Sequence, residues 1–193
     1  MDSIYGASYT KLQETMDFVL GEIDRIRKKT LEQSDFDPIE HVAYRIKSEE
    51  SMIEKLNRKG LPVTEESAVN AVHDAVGVRV VCAFLDDVYM IRDHLKSLPC
   101  CEVVEEKDYI GHAKENGYRS YHLILKVKGR CYAEVQLRTI SQDTWAALEH
   151  HIHYKKEKTE MEQLIGEELK RCADELASTD LSMQTIRDMI RKR

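Results

Sequence analysis

Short runs rich in β-branched and other apolar residues alternate with amphipathic segments along this chain, and this alternation constrains the fold more than any other feature. The β-type runs are HVAYRIK, VGVRVVCAF, a segment from about Glu102, SYHLILKV and CYAEVQLR. Gly129 separates the last two runs, as expected of a hairpin. Strands interleaved with helices predict an α/β or α+β layer fold with a mostly antiparallel or mixed sheet of about five strands.

Apolar residues at helical spacing predict the other elements. They recur from residue 10 to residue 30, so an amphipathic helix precedes the first strand. Ser48 has the character of an N-cap for a helix that Gly60 and Pro62 end. Further helices are expected at about 67–74, 86–98, 141–154, 160–177 and 180–193. At 193 residues the chain has the length of one ordinary domain.

Composition excludes several classes of protein. A hydrophobic content of 42% with few Pro and Gly disfavours disordered and fibrous chains. Every apolar run is too short to span a bilayer, and the N-terminus lacks a signal-peptide pattern, which predicts a cytoplasmic protein with no membrane partner. The five cysteines form no CxxC pair, so neither a zinc knuckle nor a disulfide framework is expected.

Charge is distributed unevenly. The net charge of −6 argues against a general nucleic-acid binder. Residues 107–138 nevertheless contain seven Lys or Arg against three acidic residues. Such a local excess of positive charge suits a site for a polyanionic small molecule.

Strand alternation sorts polar residues onto one face of the predicted sheet. Three strands contribute to this face, with Arg45 and Lys47 from the first, Ser120 and His122 from the fourth, and Glu134, Gln136 and Arg138 from the fifth. The opposite face would carry Val42, Tyr44, Ile46, Tyr121, Leu123, Leu125, Ala133, Val135 and Leu137 against helices. An antiparallel sheet often has one solvated face, so for any single strand a merely wet face is an alternative interpretation.

The mixture of side chains on the polar face matches the needs of phosphoryl-type transfer. Asp74 and Glu134 could hold Mg²⁺, and Glu134 could also accept a proton from a nucleophile. Arg45 and Arg79 could bind phosphate or stack on a base. Tyr118, after an Asn-Gly turn, is a candidate stacking platform. The residues alone thus lead to a Mg²⁺-dependent polyphosphate site.

Five segments in order resemble the synthetase domain of the RelA/SpoT family, in particular its small stand-alone members. They are HVAYRIKSEESMIEKLNRKG, DAVGVRVV, EEKDYIGHAKENGYRSYHLILKV, YAEVQLRT and WAALEHHIHYK. The resemblance covers a core of about 38–156 and implies a nucleotidyltransferase-like sheet flanked by helices. It also implies a GTP pyrophosphokinase of the stringent response, which uses Mg²⁺ to transfer pyrophosphate from ATP to the 3′ hydroxyl of GTP or GDP and releases AMP.

The resemblance assigns roles to individual residues. Arg45 and Arg79 would sandwich adenine. Lys47, Ser51, Lys55 and Arg58 would reach the ATP phosphates. Asp74 would bind the metal, and Glu134 would assist it and activate the hydroxyl. The expected acceptor-binding residues are Lys107, Lys114, Tyr118, His122, Gln136 and Asp143.

The resemblance also implies an assembly. Small members form homotetramers through terminal helices, here about 8–31 and 160–193, and such an assembly can bind the alarmone or single-stranded RNA as a regulator. The whole chain, 1–193, would then be one synthetase domain with added helices.

Other functions remain open at this stage. One is a related enzyme with an adenosine acceptor, which makes (p)ppApp, and another is a catalytically silent nucleotide- or RNA-binding regulator. His73-Asp74 could also belong to an HD-type hydrolase, and His150, His151 and His153 could bind zinc, but both patterns lack the further ligands that these sites require.

Overall fold

The computed structural model describes residues 3–34, 36–152 and 160–192. Its strands are β1 (Ile39–Ile46), β2 (Val76–Cys82), β3 (Cys101–Asp108), β4 (Tyr121–Val127) and β5 (Cys131–Thr139). They form one sheet in the order β1-β2-β5-β4-β3. β2 and β5 run parallel, whereas the other neighbouring strands are antiparallel. The predicted mixed sheet of an α+β fold is confirmed.

The helices are α1 (Tyr9–Gln33), α2 (Glu49–Arg58), α3 (Leu85–Lys96), α4 (Ile140–Ile152) and α5 (Glu160–Arg191). α1 begins and ends close to its predicted limits, because its buried residues keep helical spacing from Leu12 to Ile26. Ser48 caps α2 as expected, since its hydroxyl accepts a hydrogen bond from the Ser51 amide at 3.3 Å. No helix of the described ranges is both long and apolar enough to cross a membrane.

One face of the sheet packs on α1 and α3 and forms the core. Alternate residues of the central strands are almost completely buried there, as strand periodicity predicts. They are Val76, Val78 and Val80 of β2, Leu123 and Leu125 of β4, and Ala133, Val135 and Leu137 of β5. Each buried Val or Leu side chain contributes about 1.5–3 kcal/mol. The opposite face is therefore the one that is free to carry polar groups.

The C-terminal segment differs from the prediction. Two helices were expected, at about 160–177 and 180–193, but α5 is continuous over Glu160–Arg191. The polar residues between the two apolar stretches bond back within the helix, for example Thr179 Oγ1 to the Glu175 carbonyl at 3.0 Å. Asp180 instead accepts a hydrogen bond from Thr139 at 2.6 Å. A polar run without Gly or Pro can therefore continue a helix.

Two other expectations also need correction. The helix expected at 67–74 is a single π-helical turn, Ser67–Ala71, because Val72 is already extended. Tyr44 was expected to pack against helices but is 57% exposed. β1 is an edge strand, with a neighbour on one side alone, so its apolar face is incompletely covered. The C-terminal end predicted for α4, at residue 154, lies outside the described residues.

Candidate functional site

The polar face of the sheet is arranged as rows of side chains that strand register sets side by side. In one row Arg45 is paired with Gly77, and Gly77 with Glu134. In the next row Arg79 is paired with Gln136. The second row continues through His122 of β4 to Lys107 of β3. Paired residues point to the same face, so the register brings distant parts of the chain into one site.

A cleft opens over β1, β2 and the start of β5. Six of the predicted site residues line it, namely Arg45, Lys47, Asp74, Arg79, Glu134 and Gln136. Ala43, Tyr44, Gly77 and Val78 complete its lining. Gly77 leaves space at its base, since a Cβ there would meet its nearest atoms, both of Arg45, only at 3.9 Å. Three of the residues predicted for the donor nucleotide, Arg45, Lys47 and Arg79, therefore converge with the two carboxylates.

Asp74 lies in the turn before β2 and receives two lysines. Its Oδ2 is 2.5 Å from Nζ of Lys55 and 3.0 Å from Nζ of Lys47. Burial raises the pKa of Asp74, but the hydrogen bonds and charges of Lys55 and Lys47 outweigh burial, so the net pKa lies below its ordinary value. The second oxygen, Oδ1, is buried and has no hydrogen-bond partner. Asp74 is thus an ionised carboxylate with one oxygen free for a ligand.

Glu134 is the second carboxylate of the cleft. Its Oε1 lies 3.6 Å from Nδ1 of His122, and Gln136 donates to its Oε2 at 3.1 Å. Burial raises the pKa of Glu134, and the charge of Asp74 acts in the same direction. His122 and Gln136 outweigh both effects, so the net pKa of Glu134 is lowered. This carboxylate is therefore ionised at neutral pH and can act as a proton acceptor or a metal ligand.

Helix α2 presents the remaining predicted donor residues as one stripe. Ser51, Lys55 and Arg58 are spaced by four and three positions, so they share a face of the helix. Lys55 reaches Asp74, whereas Ser51 and Arg58 are exposed. The structure thus connects this stripe to the cleft through Lys55.

Four of the residues predicted to bind the acceptor lie in or beside the loop between β3 and β4. The Tyr118 hydroxyl is 2.8 Å from Nε2 of His122. Nζ of Lys114 lies 5.1 Å from the centre of the Tyr118 ring and 4.5 Å from that of Tyr109. Lys107 pairs with Glu105 at 2.6 Å and is half exposed. One cluster is therefore formed by His122, Tyr118 and Lys114. Lys107 lies beside His122 on the neighbouring strand, β3.

Arg138 contacts several predicted site residues, although the resemblance did not assign it a role. It is 7% exposed, and its guanidinium contacts Tyr118, Gln136, Asp143 and Ser120. Asp143, in the first turn of α4, accepts hydrogen bonds from Arg138 and Arg79. Strand alternation had placed Arg138 on the same face as Glu134 and Gln136, so the signal was present in the sequence.

Tyr5 is a second residue that sequence reasoning missed. Its hydroxyl donates to the backbone carbonyl of Lys47 at 2.7 Å. The side chain is almost completely buried, and burial raises the pKa of Tyr5 to about 12, with a smaller contribution from the charge of Asp74. The N-terminal segment therefore supports the strand end that carries Lys47, and no local sequence pattern indicates a contact over this separation.

The histidine patterns do not form metal sites in the described part of the chain. The ring of His73 stacks on Tyr132 at 3.9 Å instead of joining Asp74 as a hydrolase pair. His150 and His151 lie at the end of α4, and His153 is outside the described residues. Among the residues that the structure describes, no group of three or more His, Cys, Asp or Glu side chains could hold a metal ion. The five cysteines are free thiols in this structure.

The fold and the site together define an α+β protein whose exposed sheet face carries two carboxylates among lysines and arginines. The sequence profile of the region found in RelA/SpoT proteins matches residues 44–159. The chain belongs to the RelA/SpoT family.

Named relatives agree with this assignment. The chain is 42% identical to the GTP pyrophosphokinase YwaC of Bacillus subtilis over 144 residues, which cover 71% of this chain and 68% of YwaC. It is 33% identical to the GTP pyrophosphokinase YjbM of the same organism over 167 residues, which cover 83% of this chain and 77% of YjbM. The crystal structure of small alarmone synthetase 1 from Bacillus subtilis, bound to its product pppGpp, superposes with a TM-score of 0.79 at 28% identity, covering 95% of each chain.

Proposed function

We propose that this protein is a (p)ppGpp synthetase that transfers the pyrophosphate of ATP to the 3′ hydroxyl of GTP or GDP. The observation that carries the proposal is the convergence of Asp74 and Glu134 with three basic side chains, Arg45, Lys47 and Arg79, in a single cleft of the sheet. The family membership and the named GTP pyrophosphokinases support the same reaction. The transfer would be a diphosphotransferase reaction that releases AMP.

The donor nucleotide fits the cleft over β1 and β2. Arg45 and Arg79 are both in its lining and would sandwich the adenine ring, because guanidinium groups stack on planar bases. Lys47 and Lys55 beside Asp74 would hold the phosphates. Ser51 and Arg58, on the same stripe of α2 as Lys55, would extend this set.

The acceptor would bind on the other side of Glu134. The Tyr118 ring offers a stacking surface for guanine, and Lys114 and Lys107 offer positive charge for the 5′ phosphates. His122 lies between Tyr118 and Glu134, so it would contact the acceptor near the reacting group. Gln136 and Asp143 are proposed as the remaining guanosine contacts.

The carboxylates fit a divalent cation, which we propose is Mg²⁺. Asp74 has a buried oxygen without a partner, and Glu134 lies in the same cleft. Carboxylate oxygens are the ligands that Mg²⁺ prefers, and it completes its coordination with water and substrate phosphates. When bound, the ion would neutralise charge that develops on the phosphate oxygens.

The residues of the chain would perform the proton transfer. The acceptor 3′ hydroxyl would attack the β-phosphorus of ATP, forming a new O–P bond, while the bond between the α-phosphate oxygen and the β-phosphorus breaks and AMP leaves. Glu134 would take the proton of the hydroxyl at a carboxylate oxygen. Its lowered pKa keeps it ionised, and thus able to accept that proton, at neutral pH.

The terminal helices would join copies of the chain. Apolar side chains on α4 and α5 are at least half exposed, which favours burial against another copy. They are Leu148, Ile152, Met161, Leu164, Leu181, Met183, Ile186, Met189 and Ile190. We propose the homotetramer implied by the family, acting in the cytoplasm, with the alarmone or single-stranded RNA as its regulator.

Product analysis tests the proposed reaction. Purified protein is incubated with ATP and Mg²⁺ alone, with GTP or with GDP, and the nucleotides are separated by anion exchange. We expect AMP and a 3′-pyrophosphorylated guanosine nucleotide in equal amounts. A product formed from ATP alone would identify an adenosine acceptor, and bound nucleotides without AMP would identify a silent regulator; either result would overturn the proposal.

A further inference from the structure

One oxygen of Asp143 accepts hydrogen bonds from two guanidinium groups. Nη1 of Arg79 and Nη1 of Arg138 each lie 3.0 Å from Oδ1. The other oxygen has a weaker contact, with His41 at 3.9 Å. The arginines differ in exposure, since the Arg79 side chain is 41% exposed and that of Arg138 only 8%. Arg79 is therefore free to turn toward a ligand, whereas Arg138 is fixed.

The second arm of Arg138 reaches the acceptor side. Its Nη2 donates to the Tyr118 hydroxyl at 2.8 Å and to Oε1 of Gln136 at 3.2 Å. Its Nε lies 3.4 Å from the buried Ser120 hydroxyl, which further limits its movement. The rigid fork of an arginine can thus bind Asp143 and Tyr118 at the same time.

The two ends of this network lie in different parts of the site. Arg79 lines the donor cleft, whereas Tyr118 stands in the loop before β4 beside His122 and Lys114. Arg79 and Asp143 are 64 positions apart in the chain. Asp143 and Arg138 therefore connect two groups of proposed ligand-binding residues that are far apart in the sequence.

We propose that Arg138 is a positioning residue that, through the acceptor contact Asp143, couples the two substrates, so that donor binding increases acceptor affinity. This inference rests on the proposed function, because it takes Arg79 as a donor contact and Tyr118 and Asp143 as acceptor contacts. Asp143 contacts both arginines, and Arg138 links a change at Asp143 to the position of the Tyr118 ring.

The direction of coupling follows from the shared oxygen. Two cations that bond to one carboxylate oxygen compete for it and repel each other. When Arg79 turns to stack on the donor base, Arg138 has that oxygen to itself, and its charge-assisted hydrogen bond strengthens. Arg138 is then held more firmly against the Tyr118 hydroxyl. Because the Tyr118 ring is then already ordered, its ordering costs less free energy when the acceptor binds, and acceptor affinity rises.

Equilibrium binding measures this coupling without turnover. The dissociation constant of GTP is determined by titration calorimetry in Mg²⁺ buffer, with and without saturating α,β-methylene ATP, whose bridging carbon prevents transfer. For the wild type we expect the donor analogue to tighten GTP binding at least about fivefold. Asp143→Asn keeps the shape of the side chain but removes its charge. For this variant we expect the donor analogue to tighten GTP binding by less than about twofold.

Two further variants separate the relay from general loss of structure. Tyr118→Phe keeps the stacking ring but removes the hydroxyl that accepts from Arg138, so the coupling factor should also fall below about twofold while GTP still binds. In the double variant Asp143→Asn/Tyr118→Phe we expect no further loss, because both changes break the same path. Asp93→Asn removes an exposed, arginine-paired carboxylate of α3 and should keep the wild-type factor.

The outcomes distinguish this inference from the proposed function. If the wild type makes the 3′-pyrophosphorylated product but shows no tightening of GTP by the donor analogue, the relay is wrong and the reaction stands. An Asp143→Asn protein with unchanged coupling, or additive losses in the double variant, would also overturn the relay. If coupling is present but ATP and GTP give no AMP, the relay stands and the proposed reaction fails. A merely structural role for Asp143 would lower the thermal unfolding midpoint and leave the ratio of the two dissociation constants unchanged.

Discussion

The Nζ atom of Lys55 lies 2.5 Å from Oδ2 of Asp74, which joins α2 to the turn before β2. Lys47 approaches the same oxygen from the end of β1, so two lysines neutralise one half of the carboxylate. The other oxygen, Oδ1, is buried and unpartnered. A buried polar atom without a partner is costly, and a bound cation would satisfy it.

Removal of either carboxylate should stop catalysis and leave the fold intact. We expect Glu134→Gln and Asp74→Asn each to lower the rate of AMP release at least about a hundredfold, since a positioned proton acceptor contributes 10² to 10⁴. Each amide has nearly the size and shape of the carboxylate that it replaces, so the protein should stay folded. Glu40→Gln, an exposed carboxylate of β1, serves as the control. Retained turnover in either site variant would refute the assigned roles.

The space above Gly77 should be required for the donor nucleotide. Gly77 lies between Arg45 and Glu134 in one row of the sheet. We expect Gly77→Leu to fill the cleft and raise the KM for ATP at least about tenfold with little effect on the KM for GTP. Gly77→Ala is the matched control, because its Cβ would make only ordinary contacts at 3.9 Å. Equal rises in both KM values would show that the cleft is not the donor site.

Gly117 should be necessary for the placement of Tyr118. It has a φ of +90°, and a Cβ would lie 2.7 Å from Cβ of Ala173 on α5. We expect Gly117→Ala to raise the KM for GTP and to destabilise the protein by about 1–3 kcal/mol. Adding Ala173→Gly removes the contact with Ala173 but leaves the backbone strain and a 3.2 Å approach to Cα of Lys170, so steady-state kinetics should recover only in part. Full recovery in the double variant would mean that the positive φ has no cost.

Stability should depend on the protonation of Asp87 between about pH 4 and 6. Burial raises the pKa of Asp87 to about 6 from 3.8, although the charge of Arg187 acts in the opposite direction. The folded state therefore binds this proton more tightly than the unfolded chain, and the contribution to stability is full below the ordinary pKa and is lost as the pH rises through 6.

Urea unfolding at pH 4.5 and pH 7.5 measures the effect of Asp87. We expect the unfolding free energy of the wild type relative to Asp87→Asn to fall by roughly 1–3 kcal/mol from the lower to the higher pH. Asp87→Asn is the appropriate reference because the amide oxygen can still accept from the Phe84 amide, as the carboxylate does at 3.1 Å. A difference between the two proteins that is constant with pH would contradict the raised pKa.

Local pattern predicted most of the fold. The limits of α1, the cap at Ser48 and all five strands follow from periodicity and capping, which depend on near neighbours in the chain. The continuity of α5 was not predicted, because the polar residues in its middle resemble a helix boundary. Asp180 in fact bonds to Thr139 of β5, a contact that the local sequence does not indicate. Tyr44 was placed on a covered face because alternation says nothing about whether a strand lies at the edge.

For the site, the sequence by itself determined which side chains share a face, since alternation places Glu134, Gln136 and Arg138 together on β5. It also determined the family, because five segments in order leave little choice. Only the tertiary structure decided which of these groups are partners. The parallel pairing of β2 with β5 sets Gly77 beside Glu134, and the packing of α4 brings Asp143 to Arg79. Such contacts depend on register and helix docking, which are properties of the whole chain and not of any local pattern.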